Sequence, residues 1–157
     1  MRVVLFTDTL ADLNGVSRFI QDMARCARQA GDSLHVLTST HKSIEVAENL
    51  INLPPRATLP IPYYPQMRLC LPSRRALFEA ADALKPDRIH ISTPGPVGLA
   101  GRAYAKARGL PIVGTHHTDF SAFVYKNCPL RPLRRLSDRL MGRFYRPFDR
   151  LITRSDR

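Results

Sequence analysis

The sequence predicts a doubly wound α/β domain, in which helices cover both faces of a mainly parallel sheet. Short apolar runs rich in β-formers alternate with helical stretches along the chain. The first run, residues 2–7, is apolar without alternation, as in strands buried between two helical layers. The length of 157 residues fits one domain that buries its own core. We therefore expect residues 1–157 to form a single domain.

The N-terminal half begins with this strand and continues into an amphipathic helix. Gly31 is the predicted helix stop, and residues 34–39 form the second predicted strand. Residues 44–53 predict a weaker third strand near the sheet edge, and the six prolines within 54–72 predict a long irregular connection. The apolar face of the helix is expected to comprise Val16, Phe19, Ile20, Met23, Ala24 and Ala27.

The C-terminal half continues the alternation, with Ser73 as a predicted N-cap and Gly109 as a predicted helix stop. The predicted elements are a helix over 73–84, a strand over 88–92, a helix over 94–108, a strand over 110–114, a helix over 133–148 and a strand over 150–153.

The charge is strongly basic and unevenly distributed. The formal net charge is +11, and residues 131–157 contain nine arginines against three aspartates. Such a field favours a polyanionic partner, which leaves nucleic acid, an anionic membrane surface and a phosphorylated ligand open. The three cysteines lack CxxC spacing, which indicates reduced thiols rather than a disulfide framework or a metal site. Without a secretory signal or an apolar span, we expect a cytoplasmic protein, and the basic C-terminal segment allows a peripheral location at the inner face of the membrane.

The loop after the first strand is a candidate anion site, because it leads into a helix N-terminus. Asn14-Gly15 permits a close backbone approach to a phosphate, although a tight turn with an N-cap explains the same residues. The loop matches neither the G-x-G-x-x-G pattern nor a P-loop, which argues against a dinucleotide-dependent dehydrogenase and a P-loop NTPase.

Two further candidate sites follow later strands. In Thr93-Pro-Gly-Pro-Val-Gly-Leu-Ala-Gly101 we interpret Gly98 and Gly101 as packing the helix closely on the sheet, while Thr93 and Gly95 are candidates to line a cleft. Thr115-His-His-Thr-Asp119 follows the strand over 110–114. Adjacent histidines point apart and make a poor metal pair, so we predict no metal; one is expected in the core and the other at the cleft.

The predicted helix over 133–148 is both apolar and basic. Its expected apolar stripe comprises Leu133, Leu136, Leu140, Phe144 and Phe148. A solvated basic face and a surface for anionic lipid headgroups both fit this pattern. The basic residues are Arg134, Arg135, Arg139, Arg143 and Arg146.

Together these segments resemble the retaining glycosyltransferases of family 4, which have the GT-B architecture of two Rossmann-like domains facing across a cleft. The resemblance is nearest to the branch of α-mannosyltransferases and sulfoquinovosyltransferases that act on lipids, and it covers essentially the whole chain. The matching segments are Thr7-Asp-Thr with Asn14-Gly-Val-Ser17, Ala30-Gly-Asp-Ser-Leu-His-Val-Leu-Thr38, Lys85-Pro-Asp-Arg-Ile-His-Ile91, Thr93-Pro-Gly-Pro-Val-Gly98, His116-His-Thr-Asp-Phe120 and Phe148-Asp-Arg-Leu-Ile-Thr-Arg-Ser155.

The resemblance implies an acceptor-side N-terminal domain, with the donor domain outside this chain. Asn14 and Gly15 would approach the phosphates of a nucleotide-sugar, and His117, followed by Thr118 and Asp119, would lie near the transferred sugar. It implies a lipid or glycan acceptor and no cofactor or metal beyond the donor substrate. Two departures stand out: Ala11-Asp-Leu13 replaces the family's usual proline, and Gly31-Asp32 replaces its usual Gly-His pair.

Two other functions remain open from the residues. A stand-alone Rossmann-like domain would bind a ligand without catalysis, and a basic module would bind nucleic acid. The chain has no helix-turn-helix pattern and no RNA-recognition aromatic motif, so we expect no specific nucleic-acid partner.

Overall fold

The computed structural model describes residues 1–61, 64–117 and 131–153. Its helices are α1 (Gly15–Ala30), α2 (Arg74–Leu84), α3 (Pro96–Arg108) and α4 (Arg131–Tyr145). Its strands are β1 (Val3–Phe6), β2 (Leu34–Thr38), β3 (Leu50–Asn52), β4 (Ala57–Ile61), β5 (Tyr64–Leu71), β6 (Arg88–Ile91), β7 (Ile112–His116) and β8 (Arg150–Thr153).

Six strands form one parallel sheet in the order β3-β2-β1-β6-β7-β8. Two cores lie on its opposite faces. Ile20 of α1 packs with Leu5 on one face. Leu77 of α2, Tyr104 of α3 and Phe144 of α4 pack on the other face. The predicted doubly wound, parallel α/β fold is therefore confirmed, and the strand order reverses between β1 and β6, where ligands bind in such sheets.

The prediction of an irregular connection over 54–72 is wrong, because β4 and β5 form an antiparallel pair there. Pro60 lies in β4 opposite Arg68, and the register shifts at the next residue. In a two-stranded sheet each strand keeps one unpaired edge, where the missing N–H of a proline is tolerated.

Three boundaries also differ from prediction. The third strand is only Leu50–Asn52, and β7 starts two residues late and ends at His116. Leu110 cannot begin β7, because its N–H closes α3 by donating to Ala105 O at 3.0 Å. Helix α4 ends at Tyr145. The next residue, Arg146, precedes Pro147, and helical backbone is disfavoured immediately before a proline.

The helix ends agree with the capping residues in the sequence. Ser73 accepts a hydrogen bond from Ala76 N at 3.3 Å and caps α2. Gly31 and Gly109 end α1 and α3 in the left-handed region, with φ of 73° and 63°. The ends of α1, α2 and α3 determine where the following strands, β2, β6 and β7, begin. They therefore help to position the carboxyl ends of these strands at the candidate site.

Candidate active site at the carboxyl edge of the sheet

The loops after β1 and β6 are tied together at the point where the strand order reverses. Asp8 N donates to Thr93 Oγ1 at 2.7 Å, and Thr93 Oγ1 donates to Asp8 Oδ2 at 2.7 Å. These two residues are 85 positions apart in sequence. The two loops beside the β1–β6 crevice are therefore held together by a reciprocal pair of hydrogen bonds.

Asp8 also caps helix α3 from a distant part of the chain. Its carboxylate accepts hydrogen bonds from Val97 N at 2.7 Å and from Gly98 N at 3.2 Å. Gly95, the N-cap residue of α3, makes no side-chain cap, and a Cβ there would lie 2.5 Å from Asp8 Cγ. Burial raises the pKa of the Asp8 carboxyl, whereas the bonds from Thr93 and the α3 amides oppose that shift.

The structure thus places Thr93 and Gly95 as partners of Asp8. Thr93 holds the carboxylate, and Gly95 makes room for it. The N-terminus of α3 already has its anion, since the Asp8 carboxylate lies on its free N–H groups. Sequence reasoning missed this role of Asp8. Two features of the sequence could have indicated this role. Asp8 is an acidic residue at the end of a strand, and the N-cap residue of α3 is a glycine, which has no side chain to cap the helix.

The loop before α1 is held by its own polar side chains. Asn14 Oδ1 accepts from Ser17 N at 2.8 Å, which confirms the N-cap interpretation. Asn14 Nδ2 donates to Thr9 Oγ1 at 3.0 Å, and Thr9 Oγ1 donates to Asp12 Oδ2 at 2.8 Å. Gly15 is exposed, and a Cβ there would meet no atom within 4 Å, so packing within the domain does not require glycine at this position.

A second contact joins this loop to the segment after β2. Lys42 Nζ lies 2.6 Å from Asp12 Oδ1, and both side chains are partly exposed. Asn52 fixes the Lys42 segment, because its Oδ1 accepts from Thr40 N at 2.9 Å and its Nδ2 donates to Thr40 O at 3.1 Å. The loops after β1, β2 and β6 therefore form one connected edge.

The two adjacent histidines lie on opposite faces of the sheet. The His116 ring packs edge-on against Tyr145 of α4, with ring centroids 5.6 Å apart. The His117 ring packs edge-on against Phe19 of α1 at 5.4 Å, one helical turn beyond Gly15. Phe19 belongs to the predicted apolar face of α1 but is 49% exposed, and its ring contacts His117. Thr118 and Asp119 lie outside the described residues.

Helix α4 presents two different apolar surfaces rather than one stripe. Phe144 is buried, and Phe148, which follows the helix, packs against the core, whereas Leu133, Leu136 and Leu140 are 36%, 51% and 53% exposed. The five predicted basic residues are all exposed: Arg134, Arg135, Arg139, Arg143 and Arg146. The prediction of a single stripe is wrong, because the core-facing side includes Ser137 and Phe144, and the leucines fall beside it.

Other candidate groups are sparse in the part of the chain that the structure describes. Cys26 and Cys70 have free thiols, and Cys70 Sγ lies 3.6 Å from His41 Nδ1. None of the described residues form a group of three or more side chains suited to hold a metal ion. No described helix is both long and apolar enough to cross a bilayer.

Comparison with known sequences identifies the family. A profile described as Glycosyltransferase Family 4 matches residues 13–157. The chain belongs to glycosyltransferase family 4. This family 4 domain is 29% identical over 125 residues to a sulfoquinovosyl transferase of Arabidopsis thaliana, covering 78% of this chain and 24% of that protein. It is 27% identical over 138 residues to an alpha-monoglucosyldiacylglycerol synthase of Streptococcus pneumoniae, covering 84% of this chain and 31% of that protein.

Solved structures support the same fold. An alpha-glucosyltransferase in complex with UDP and a 13-mer DNA has a TM-score of 0.55 at 15% identity, covering 99% of this chain and 37% of that one. The UDP-GlcNAc 2-epimerase of Methanocaldococcus jannaschii has a TM-score of 0.56 at 12% identity, covering 99% and 40%. The family 4 domain thus has the fold of a GT-B N-terminal half, and it spans about a quarter to a third of its curated relatives' length.

Proposed function

We propose that this chain is the acceptor-side half of a retaining glycosyltransferase that moves a sugar from a nucleotide-sugar to a lipid. The observation that carries the proposal is the His117–Phe19 pair, which lies at the carboxyl edge of the sheet beside the first turns of α1. The edge is where ligands bind in doubly wound folds. Family membership supports sugar transfer as the reaction.

The donor's diphosphate would lie at the N-terminus of α1. The N-cap leaves Gly15 exposed with open space around it, so a phosphate can approach the backbone there. His117 would donate a hydrogen bond to the transferred sugar. The second domain would supply the remaining donor contacts, and the departing diphosphate would be stabilised by N–H groups and cations without a metal or other cofactor.

A lipid acceptor agrees with the surface of α4. The curated relatives include a sulfoquinovosyl transferase and an alpha-monoglucosyldiacylglycerol synthase. Exposed leucines between exposed arginines suit a boundary where apolar groups enter a bilayer and cations meet anionic headgroups. We therefore place the protein in the cytoplasm, peripheral at the inner face of the membrane, and prefer a lipid to a soluble glycan.

Nucleic acid is the weaker partner for the same helix. The alpha-glucosyltransferase neighbour is in complex with DNA, and a basic helix attracts phosphates of any kind. The phosphates of a nucleic acid would interact only with the arginines, however. A bilayer would also bury Leu136 and Leu140, and full burial of each leucine side chain contributes about 1.5–3 kcal/mol to binding. The exposed leucines favour the membrane.

Transfer is expected only when the chain is joined to a donor-binding domain. A single wall neither excludes water nor holds both reactants, so we predict no turnover by the 157-residue chain alone. Labelled sugar from UDP-glucose or UDP-sulfoquinovose would be followed into diacylglycerol vesicles, with the chain alone and with its fusion to the donor domain of a curated relative. Turnover by the chain alone would contradict the prediction. Failure of every fusion, while the chain still binds a nucleotide-sugar, would favour a non-catalytic binding domain.

The α4 surface is expected to bind anionic vesicles. Replacing Arg135 and Arg139 together by glutamine should weaken binding about thirtyfold, because each arginine near an anionic surface contributes about 1 kcal/mol. Co-sedimentation with phosphatidylglycerol and phosphatidylcholine vesicles at rising salt measures this. The matched control replaces two exposed arginines of α1, Arg25 and Arg28, and should leave binding unchanged.

Two outcomes would count against this surface. Equal binding to anionic and neutral vesicles would leave the arginines merely solvated. If the variant with both Arg135 and Arg139 replaced by glutamine lost binding to a short DNA duplex but still bound vesicles, nucleic acid would be the favoured partner. Leu136→Ser with Leu140→Ser separates the two partners, because these changes should weaken vesicle binding and leave duplex binding intact.

A further inference from the structure

A row of hydroxyl side chains crosses four adjacent strands at the carboxyl edge of the sheet. Each of these residues directly follows a residue that is paired in register across β2, β1, β6 and β7. Backbone bonds from Thr7 N to Leu37 O and from Ser92 N to Phe6 O continue the ladder into the row. The row comprises Thr38, Thr7, Ser92 and Thr115, all of them buried.

The row lies on the α1 face, because its members alternate with residues of the opposite core. Among the described residues, Thr38 Oγ1 and Ser92 Oγ have no hydrogen-bond partner, and Thr7 Oγ1 bonds to the backbone of Thr9. Thr115 differs from the other three, because its Oγ1 lies 2.8 Å from His90 Nε2. Among the described residues of the row, Thr115 is therefore the one whose hydroxyl is hydrogen-bonded to a histidine ring.

His90 is an unusual residue for its position. Its neighbours across the sheet are Leu5 of β1 and Val113 of β7, both apolar. Burial, and secondarily the charge of His117, lower the pKa of His90 to about 4. His90 is therefore neutral at neutral pH, with one ring nitrogen that donates and one that accepts.

His117 lies close enough to His90 for its charge to lower the His90 pKa. It follows Thr115 by two residues, so the two side chains leave β7 and its continuation on the same face. Phe19 contacts the His117 ring from α1, while His90 and Thr115 lie towards the sheet. Phe19 is half exposed and gives little confinement by itself.

We propose that His90 and Thr115 are positioning residues that hold the His117 ring in place at the cleft. Thr115 fixes the orientation of the His90 ring by their hydrogen bond, and the fixed ring forms the inner wall against which His117 rests. The placement of His117 stands on the structure alone; only the use of that placement in catalysis rests on the proposed function.

Imidazole NMR on the 157-residue chain tests the proposal without any activity assay. Thr115→Val keeps the shape and removes the hydroxyl, so the His90 ring should lose its fixed orientation, seen as shifted ring signals, and His117 should lose its ring-to-ring contacts with Phe19. Thr115→Ser keeps the hydroxyl and should restore both signals. Thr38→Val removes a hydroxyl from the far end of the same row and should change neither.

Wild-type His117 signals in Thr115→Val, or equal changes in Thr38→Val, would overturn the proposal. Should Thr115→Val fail to fold, His90→Leu carries the same test, because leucine matches the apolar neighbours of His90. Loss of the His117–Phe19 contacts in His90→Leu supports the positioning, and their retention overturns it. The NMR result does not depend on sugar transfer. If no form of the enzyme transferred sugar, the proposed function would fail while the positioning of His117 could still be tested.

Discussion

Gly98→Ala is expected to destabilise the domain by about 3 kcal/mol, the upper end of the usual cost of overpacking. A Cβ at this position would lie 1.8 Å from Thr93 O, a backbone atom of the loop that enters α3. That loop is held from its other side by Asp8, which bonds to Thr93 Oγ1 and to the amides of Val97 and Gly98. Relief of the clash would therefore break the cap of α3 and separate the loops after β1 and β6.

Thermal and denaturant unfolding of the purified chain measure this effect. Gly142→Ala is the matched control, because Gly142 is an exposed position within α4 and a Cβ there meets no atom within 4 Å. Alanine should stabilise α4 by about 0.5–1 kcal/mol, through its higher helix propensity. A Gly98→Ala protein that unfolds at the wild-type midpoint would contradict the close contact between α3 and the β6–α3 loop.

Features of the fold that depend on neighbouring residues could be predicted from the sequence. Gly31, Ser73 and Gly109 act within one turn of their own helix, so their side chains and backbone preferences give the helix ends directly. Gly98 and Gly101 also behave as predicted, since a Cβ at Gly101 would lie 2.6 Å from the Phe6 ring. Alternation of strands and helices then leaves few possible topologies.

The β4–β5 pair could not be predicted, because proline is excluded only from strand edges that donate hydrogen bonds. Whether an edge is paired depends on the number of strands in the sheet, which is a tertiary property. The segment 54–72 contains six prolines, yet each strand of this pair needs only one hydrogen-bonding edge.

The parts of the candidate site that were missed join residues distant in sequence. Asp8 lies 85 positions from Thr93, and His90 lies 25 positions from Thr115. Their contacts depend on the register between β1, β6 and β7, since a shift of one residue would turn each side chain to the other face. The sequence places the right residue types at strand ends, but only the register determines which of them meet.

Substitutions of the two adjacent histidines should have different effects on stability and turnover, because the two rings pack on opposite faces of the sheet. His116→Ala removes an edge-on contact with Tyr145 and should cost about 0.5–1.5 kcal/mol of stability beyond the lost buried area. The edge-on partner of His117 is the half-exposed Phe19, so His117→Ala should lower stability less than His116→Ala and leave the melting temperature near that of the wild type.

In a form of the protein that includes a donor-binding domain, His117→Ala is expected to lower kcat about 100- to 1000-fold if the ring donates to charge that develops in the transition state. Such a hydrogen bond is worth about 2.7–4 kcal/mol. A bond to a neutral sugar hydroxyl is worth about 0.5–1.5 kcal/mol and predicts a loss of only about two- to twelvefold. Steady-state kinetics on wild type, His117→Ala and His116→Ala, each paired with a melting curve, distinguish these cases. A His116→Ala enzyme that loses turnover while His117→Ala keeps it would reverse the roles assigned to the two rings, and full turnover in both variants would remove His117 from the reaction.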